Sequence, residues 1–216
     1  MTHAVRSPDA SRLDPLRGRF LITDTLFKYH ASCYLTHAAV EVATRLRAGT
    51  DLRADDVASV TVHGSAGCVG VCDISEPETG LQGKFSLRAT TAMALLGDDT
   101  SDPAAFSDQR MRDPAFAAMR DRITFTPITE LPPTRAMVTV QTAAGATLTE
   151  EADTGRPERD LDRQWELLTG KFMALATPIL GKAGSGRLYD ALADLEHAPT
   201  MREIAALARA ASPVSA

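Results

Sequence analysis

Short runs of apolar residues, some of them alternating with polar ones, predict five strands along the chain. In the clearest run valines recur between polar residues, as expected when one face of a strand is buried. The last two runs flank a glycine-containing turn and therefore predict a β-hairpin. The five predicted strands cover residues 20–27, 56–63, 123–128, 136–141 and 146–150.

Apolar residues at helical spacing predict most of the remaining chain to be helical. Ser32 is a suitable N-cap for the first helix, and Gly49 is a suitable C-terminal glycine. Thr200 and Glu203 match a capping box at the last helix. The resulting order of strands and helices predicts an α+β fold, a small sheet packed with helices. The predicted helices cover residues 33–48, 84–96, 113–122, 187–196 and 200–211, with another that runs from residue 161 to a glycine-rich interruption at 181–186.

The domain organisation follows from the same pattern. Residues 1–19 lack apolar periodicity and are predicted to be a flexible arm, while residues 20–211 form one domain and 212–216 a short tail. Inside the domain, the glycine-rich stretch 64–83 is predicted to be a loop. A loop of about twenty residues in a compact domain is uncommon and is often functional.

Charge and composition exclude several classes of function. The chain has 23 basic and 28 acidic residues, which counts against a nucleic-acid partner. Its apolar runs are too short to span a bilayer, and its first residues lack the apolar segment of a secretory signal. Three cysteines do not suggest a disulfide framework. We therefore expect a cytoplasmic protein with reduced thiols.

The densest group of reactive side chains lies where the first strand is predicted to lead into the first helix. Lys28 and the unpaired N–H groups of a helix start favour an anion there, and the same field would lower the pKa of Cys33. His37 follows Cys33 by four residues, so a Cys–His pair for nucleophilic or acid–base chemistry is one possibility. The alternative is a solvated lysine, a small core cysteine and a structural histidine.

A second candidate group lies at the start of the predicted buried helix. Lys84 opposes the dipole at that position, so it either contacts a ligand or extends to solvent. Arg88, one turn later on the same face, needs a protein carboxylate or a ligand anion as its partner. His63, Cys68 and Cys72 also lie close in sequence, but their spacing does not match the usual zinc patterns, so no metal site is predicted.

Taken in order, these segments resemble the C-terminal part of the 2-methylcitrate dehydratase (MmgE/PrpD) family. The family's K-P-Y-P-S-C-x-x-T-H-x-A stretch is similar to Lys28–Ala39, and its K-F-S-L stretch is similar to Lys84–Leu87. A late hairpin followed by a helix containing Lys171-Phe172 completes the resemblance, which extends over residues 20–205.

The resemblance implies a lid domain of a two-domain enzyme that needs no metal or organic cofactor. Such enzymes are dehydratases, decarboxylases and epimerases of small polycarboxylates, and cations from both domains hold the substrate. Lys28, His30, Cys33 and His37 would be the catalytic residues, with Cys33 at a position where some relatives carry a catalytic histidine. The substrate-binding residues would be Lys28, Ser32, Lys84, Ser86 and Arg88.

Two departures from the family pattern shape the functional expectation. Tyr29 and Ala31 replace prolines, and His30 replaces an aromatic residue, which adds a titratable group. The family's helical domain is also absent, so a lid face is expected to be open. We therefore expect a lid subunit of a split, dehydratase-like lyase or isomerase that works with a separately encoded all-helical subunit. The alternatives are a non-catalytic lid-like domain that binds a small acid or self-associates, and a piece of a longer enzyme.

Overall fold

A four-stranded mixed sheet is the centre of the fold in the computed structural model, which describes residues 20–209. The predicted arm over residues 1–19 and the predicted tail over residues 212–216 lie outside the described residues. The strand order is β2-β1-β3-β4, with β1 parallel to β2 and antiparallel to β3, and β3 and β4 form the predicted hairpin. The strands are β1 (Val57–Ser65), β2 (Ile123–Ile128), β3 (Arg135–Thr142) and β4 (Thr147–Asp153).

The two faces of the sheet differ in chemistry. Val60 pairs with Val140 and Val62 with Val138, and these four side chains are buried against the helices. At the position between these two pairs, Thr61 pairs with Thr139, and both polar side chains lie on the other face of the sheet. This alternation is the period of two that the sequence showed at β1, and the α+β prediction is confirmed.

Three helices cover the apolar face of the sheet. Helix α1 packs against α3, β3 and β4, and α3 packs against α5 and β2. The helices are α1 (His37–Thr50), α2 (Gly80–Gly83), α3 (Leu87–Leu96), α4 (Asp108–Met111), α5 (Pro114–Asp121), α6 (Leu161–Ala193) and α7 (Met201–Leu207). Short 3₁₀ turns lie at Leu21–Asp24, Tyr34–Thr36, Ala54–Asp56, Ala66–Cys68, Pro103–Ala105 and Leu195–His197.

The predicted strand over residues 20–27 is wrong. The chain forms a 3₁₀ turn at Leu21–Asp24, in which the Thr25 N–H donates to the Ile22 carbonyl at 3.1 Å. No strand within residues 20–209 pairs with this segment. The side chains of Phe20 and Ile22 are largely exposed, at 79% and 78%. Without a partner strand, the backbone N–H and C=O groups of an apolar run cannot form interstrand hydrogen bonds. They form the hydrogen bonds of a local turn instead.

The predicted ends of the first helix are also wrong. A 3₁₀ turn separates Ser32 from α1, and the residue before α1 is Thr36, whose side chain makes no capping bond. At the other end Gly49 lies inside the helix, and Asp51 takes the left-handed conformation at φ 50°. Asp is one of the few residues other than glycine that visit this region readily, which is why a glycine was not needed.

The C-terminal helices lie largely outside the core. Helix α6 is interrupted at Gly181, whose φ of 70° and ψ of 164° separate two helical segments at the predicted break. In α6 and α7 only Ser185, Leu188 and Ile204 are buried. Trp165 and Ile179 on the first segment are 52% and 66% exposed. Within residues 20–209, no helix combines the length and apolarity needed to cross a membrane.

Candidate functional site

Residues 28–36, called here the 28–36 loop, lie at the start of α1 and are clamped to segments on either side of α3. The Ala31 N–H donates to the Thr100 carbonyl at 2.8 Å, and the Cys33 N–H donates to the Lys84 carbonyl at 2.8 Å. The Tyr34 hydroxyl donates to the Thr154 carbonyl at the end of β4 at 2.5 Å. The loop is therefore fixed by backbone groups far from it in sequence.

His30 is held at both ring nitrogens. Its Nδ1 lies 2.7 Å from Thr100 Oγ1, and its Nε2 lies 3.3 Å from Glu41 Oε1. The hydrogen bond from His30 holds the pKa of the Glu41 carboxyl below its usual range. His30 can contact a substrate only by releasing one of these two partners, so in this arrangement it positions the loop.

His37 has an unsatisfied nitrogen inside the protein. The side chain is 2% exposed, and Nε2 is buried without a hydrogen-bond partner. Its ring centroid lies 4.9 Å from that of His30 and 5.0 Å from that of Tyr34. Burial, followed by the charges of His30 and Lys28, lowers the pKa of His37 to about 3. The imidazole is therefore neutral near pH 7, and its buried Nε2 has unused hydrogen-bonding capacity.

Two lysines from distant parts of the chain meet at the edge of this loop. The Lys171 ammonium on α6 donates to the Lys28 carbonyl. Burial and the charge of Lys28 lower the pKa of Lys171. The Lys28 side chain is exposed. The pair concentrates positive charge beside the histidines, as an anionic ligand would require.

The second predicted group lies across the loop, at the start of α3. Lys84 is the C-cap of α2 and precedes Ser86, the N-cap of α3. It is therefore not the first residue of the buried helix, and the predicted repulsion between its charge and the dipole of that helix does not arise. Its Nζ lies 5.6 Å from the centre of the Phe106 ring. Arg88 is half-buried in α3, and no carboxylate of residues 20–209 pairs with its guanidinium.

The two predicted serines have their hydroxyls engaged by the protein. Ser86 is fully buried, and its Oγ donates to the Ile74 carbonyl at 2.5 Å and accepts from the Ala89 N–H at 3.1 Å as the N-cap of α3. Ser32 is 4% exposed, with its Oγ 3.0 Å from Thr36 Oγ1. In this structure the Ser86 hydroxyl caps α3 and the Ser32 hydroxyl contacts the Thr36 side chain, while substrate contacts of the two serines stay a prediction.

Cys33 does not share a helix face with His37, because the 3₁₀ turn lies between Cys33 and the start of α1. Its side chain is half-buried, and its N–H donates to the Lys84 carbonyl. His63, Cys68 and Cys72 do not form a ligand set, and no group of three His, Cys, Asp or Glu side chains among the described residues could hold a metal ion.

A polar cavity of about 590 Å³ opens between the residues before α1, the end of β4 and the start of α6. His37, Tyr34, Glu41 and Arg45 line it, whereas Lys28, Cys33, Lys84 and Arg88 do not. Sequence reasoning missed Glu41 and Thr100, the partners of His30, because both are ordinary polar residues whose spacing from His30 carries no signal. The cavity was also not predictable, since it needs β4 and α6 in place.

These features define an α+β domain that presents lysines, an arginine and histidines around one loop at a helix start. Residues 30–196 match the model of the MmgE/PrpD C-terminal domain, and the chain belongs to the MmgE/PrpD family. The predicted family resemblance is thus confirmed, and the match covers every predicted site residue except Lys28, which lies two residues before it. No curated protein matches the sequence closely enough to mark a relative.

Proposed function

We propose that this chain is the lid half of a lyase or isomerase that acts on a small polycarboxylate by cofactor-free acid–base chemistry. An all-helical partner on another polypeptide completes the active site. Membership of the family through its C-terminal domain supports this assignment. The reaction would be a dehydration, a decarboxylation or an epimerisation, each of which begins at a carbon next to a carboxylate.

The observation that carries the proposal is positive charge without a carboxylate partner among residues 20–209, at Lys28 in the 28–36 loop, at Lys84 and at Arg88 in α3. Arg88 is half-buried without a described carboxylate partner, and a desolvated guanidinium without an anion is costly. Lys28 is exposed, and Lys84 has an aromatic ring rather than a carboxylate beside it. Substrate carboxylates would supply the missing negative charge, held by Lys28 and Lys84 with Arg88.

The histidines provide the proposed proton transfer. With its pKa lowered to about 3, His37 does not hold a proton near pH 7 in the free domain. A bound polyanion beside it would raise that pKa, because an opposite charge favours the protonated ring. His37 would then accept a proton only when substrate is present, while His30, held by Thr100 and Glu41, keeps the loop in position. Cys33 lies outside the cavity that His37 lines and has no step in this proposal.

An apolar segment beside the cations supports a covering partner. Val69, Val71, Leu81 and Phe85 lie before α3 and are 53%, 48%, 69% and 41% exposed. Exposed apolar groups of this extent around a charged site are typical of an interaction surface. A partner packed there would also exclude water from the substrate, which strengthens every charge interaction in the site.

Reconstitution tests the proposal. The full chain is co-expressed with an all-helical protein encoded by a neighbouring reading frame, and complex formation is followed by size-exclusion chromatography. Exchange of substrate C–H for deuterium is then measured by NMR on a panel of di- and tricarboxylates. We expect exchange with the complex and none with either chain alone. Full turnover by the chain alone would refute the split arrangement.

A matched pair of lysine variants tests the site. Lys28→Ala in the complex should lower the rate by about 100-fold or more, the loss typical of one group that stabilises developing charge. Lys182→Ala removes an exposed lysine from the C-terminal helices and should leave the rate unchanged. An unchanged rate in the Lys28→Ala complex, with the complex still intact, removes Lys28 from the site.

A second candidate function is a non-catalytic lid-like domain that binds a small acid or self-associates. Trp165, Leu175 and Ile179 on α6 favour it, because they are 52%, 44% and 66% exposed. A stable homodimer in sedimentation experiments, together with no exchange activity in any mixture, would favour this candidate over the enzyme.

A further inference from the structure

The polar cavity between α1, the end of β4 and α6 is separate from the cations of the proposed substrate site. Its volume of about 590 Å³ lies within the range of about 300–1,000 Å³ that is usual for small-molecule sites. Three parts of the chain contribute charged groups to its lining: Glu41 on α1, Arg156 and Glu158 after β4, and Arg163 on α6. A molecule bound here would contact these groups and none of the proposed substrate-binding cations.

The four charged groups of this cavity differ in depth. The side chains of Glu41 and Glu158 are 32% and 29% exposed. Those of Arg163 and Arg156 are 64% and 84% exposed. The two carboxylates therefore lie on the inner wall, and the two guanidinium groups lie at the rim. Complementary charge on a ligand would place its positive end inside and its negative end outside.

The protein holds the two rim arginines only loosely. Arg163 Nε lies 4.0 Å from Glu158 Oε2, and Arg156 Nε lies 3.6 Å from Asp153 Oδ2. Both distances are longer than a hydrogen bond, and neither guanidinium donates a hydrogen bond to another described residue. By contrast, Arg45 also lines the cavity but donates two hydrogen bonds through its guanidinium. The N–H groups of the rim arginines can therefore hold a ligand carboxylate.

The inner wall is suited to an ammonium group. Among the described residues the Glu41 carboxylate accepts a single side-chain hydrogen bond, at 3.3 Å, and it is charged near pH 7. The rings of Phe27, Tyr29 and Tyr34 line the same space, and the face of an aromatic ring attracts an organic cation. His37 is part of this wall, and its buried Nε2 has no hydrogen-bond partner within the described part of the chain.

We propose that this cavity binds a free α-amino acid with an apolar side chain. The ammonium group of the amino acid contacts Glu41 and the aromatic rings, and its carboxylate is held at the rim by Arg163 and Arg156. Its side chain packs against Leu26 and Leu167, which also line the cavity. The bound amino acid would connect α1 to α6. This inference does not rest on the proposed enzyme activity, because the site needs only the described fold of the chain.

NMR titration of the full chain with L-phenylalanine and L-leucine tests the proposal. Phenethylamine and 3-phenylpropanoate are titrated in parallel, because they keep the side chain of phenylalanine but lack its carboxylate and its ammonium group, respectively. We expect saturable binding of the amino acids, with each analogue binding about 10-fold or more weakly than phenylalanine because it loses one charged hydrogen-bonding group. No saturable binding of either amino acid up to millimolar concentrations, or an analogue that binds as tightly as phenylalanine, would overturn the proposal.

Variants assign the two ends of the ligand. Glu41→Gln should narrow the difference in affinity between phenylalanine and 3-phenylpropanoate, whereas Arg163→Gln should narrow the difference between phenylalanine and phenethylamine. Arg187→Gln is the matched control, because Arg187 is exposed on the second segment of α6 and does not line the cavity, and it should leave both differences unchanged. The same pattern of affinities in all three variants would contradict the assignment. Circular dichroism checks that each variant is folded, and the wild-type titrations alone decide the outcome if a variant is not.

Discussion

Protonation of His37 should destabilise the fold as the pH falls from 8 to 5. The pKa of this ring drops from 6.5 to about 3 on folding because the side chain is buried beside positive charges. Between these two values the unfolded chain binds more protons than the native one, so the free energy of unfolding rises with pH. The stabilising contribution of the neutral His37 ring is fully present above pH 6.5, the pKa of the ring in the unfolded chain. It is lost progressively as the pH falls toward about 3.

The pKa shift sets the size of the effect. A lowering of about 3.5 units corresponds to about 5 kcal/mol when the unfolded chain is fully protonated and the native ring is not. At pH 5 only part of this difference is realised, and the free energy of unfolding should be about 2 kcal/mol lower than at pH 8. Protonation of Glu41 lowers the free energy of unfolding only at more acidic pH than this range of 5 to 8. Folding lowers the pKa of the Glu41 carboxyl below 4.5, so the stabilising contribution of the carboxylate is lost as the pH falls through that lowered pKa.

Urea denaturation at a series of pH values between 5 and 8 measures this difference. In His37→Gln the difference should shrink by about 2 kcal/mol, whatever the absolute stability of the variant, because the titrating ring is gone. His197→Gln, which changes a histidine whose side chain is 70% exposed, should retain the difference because His37 is still present. The same change with pH in the wild-type chain and in His37→Gln would show that His37 does not cause it.

Two further predictions concern stability. Gly80→Ala should destabilise the fold by about 1–3 kcal/mol, because the added Cβ would lie 1.9 Å from the Phe106 carbonyl oxygen. Gly49→Ala has open space around the added Cβ within α1 and should stabilise the fold by about 0.5–1 kcal/mol. Equal thermal midpoints for the two variants would contradict this. Ser86→Ala should lower the unfolding free energy by about 1–2 kcal/mol by removing the N-cap of α3, and an unchanged urea midpoint would contradict the capping role.

The sequence predicted the parts of the fold that local pattern specifies. Within β1, residues 60–64 alternate between buried and half-buried, and the turn around Gly145, at φ 87°, joins the predicted hairpin. The run at 20–27 has the same apolar character, but a strand also needs a neighbour to pair with, which local pattern does not show. Asp51 ended α1 in place of Gly49, because an Asp also tolerates the left-handed region.

The candidate site was predictable only in its residue types. The order Lys28, His30, Cys33 and His37 drew attention to the 28–36 loop, but the geometry of that loop depends on residues far away in sequence. Thr100 is 70 residues from its partner His30, and no periodicity or motif connects the two. A Cys33–His37 pair on one helix face was one possibility, but a 3₁₀ turn lies between the two residues, and the Cys33 N–H donates to the Lys84 carbonyl instead.

The contact between Lys171 and the Lys28 carbonyl has a consequence for the order of events during synthesis. The two residues are 143 positions apart, so the loop leaves the ribosome long before α6 exists. At about 5–20 residues per second, roughly 7 to 30 seconds pass before Lys171 is made. During that interval the sheet and α1 can form, but the loop lacks its last clamp. The site is therefore among the final parts of the molecule to mature.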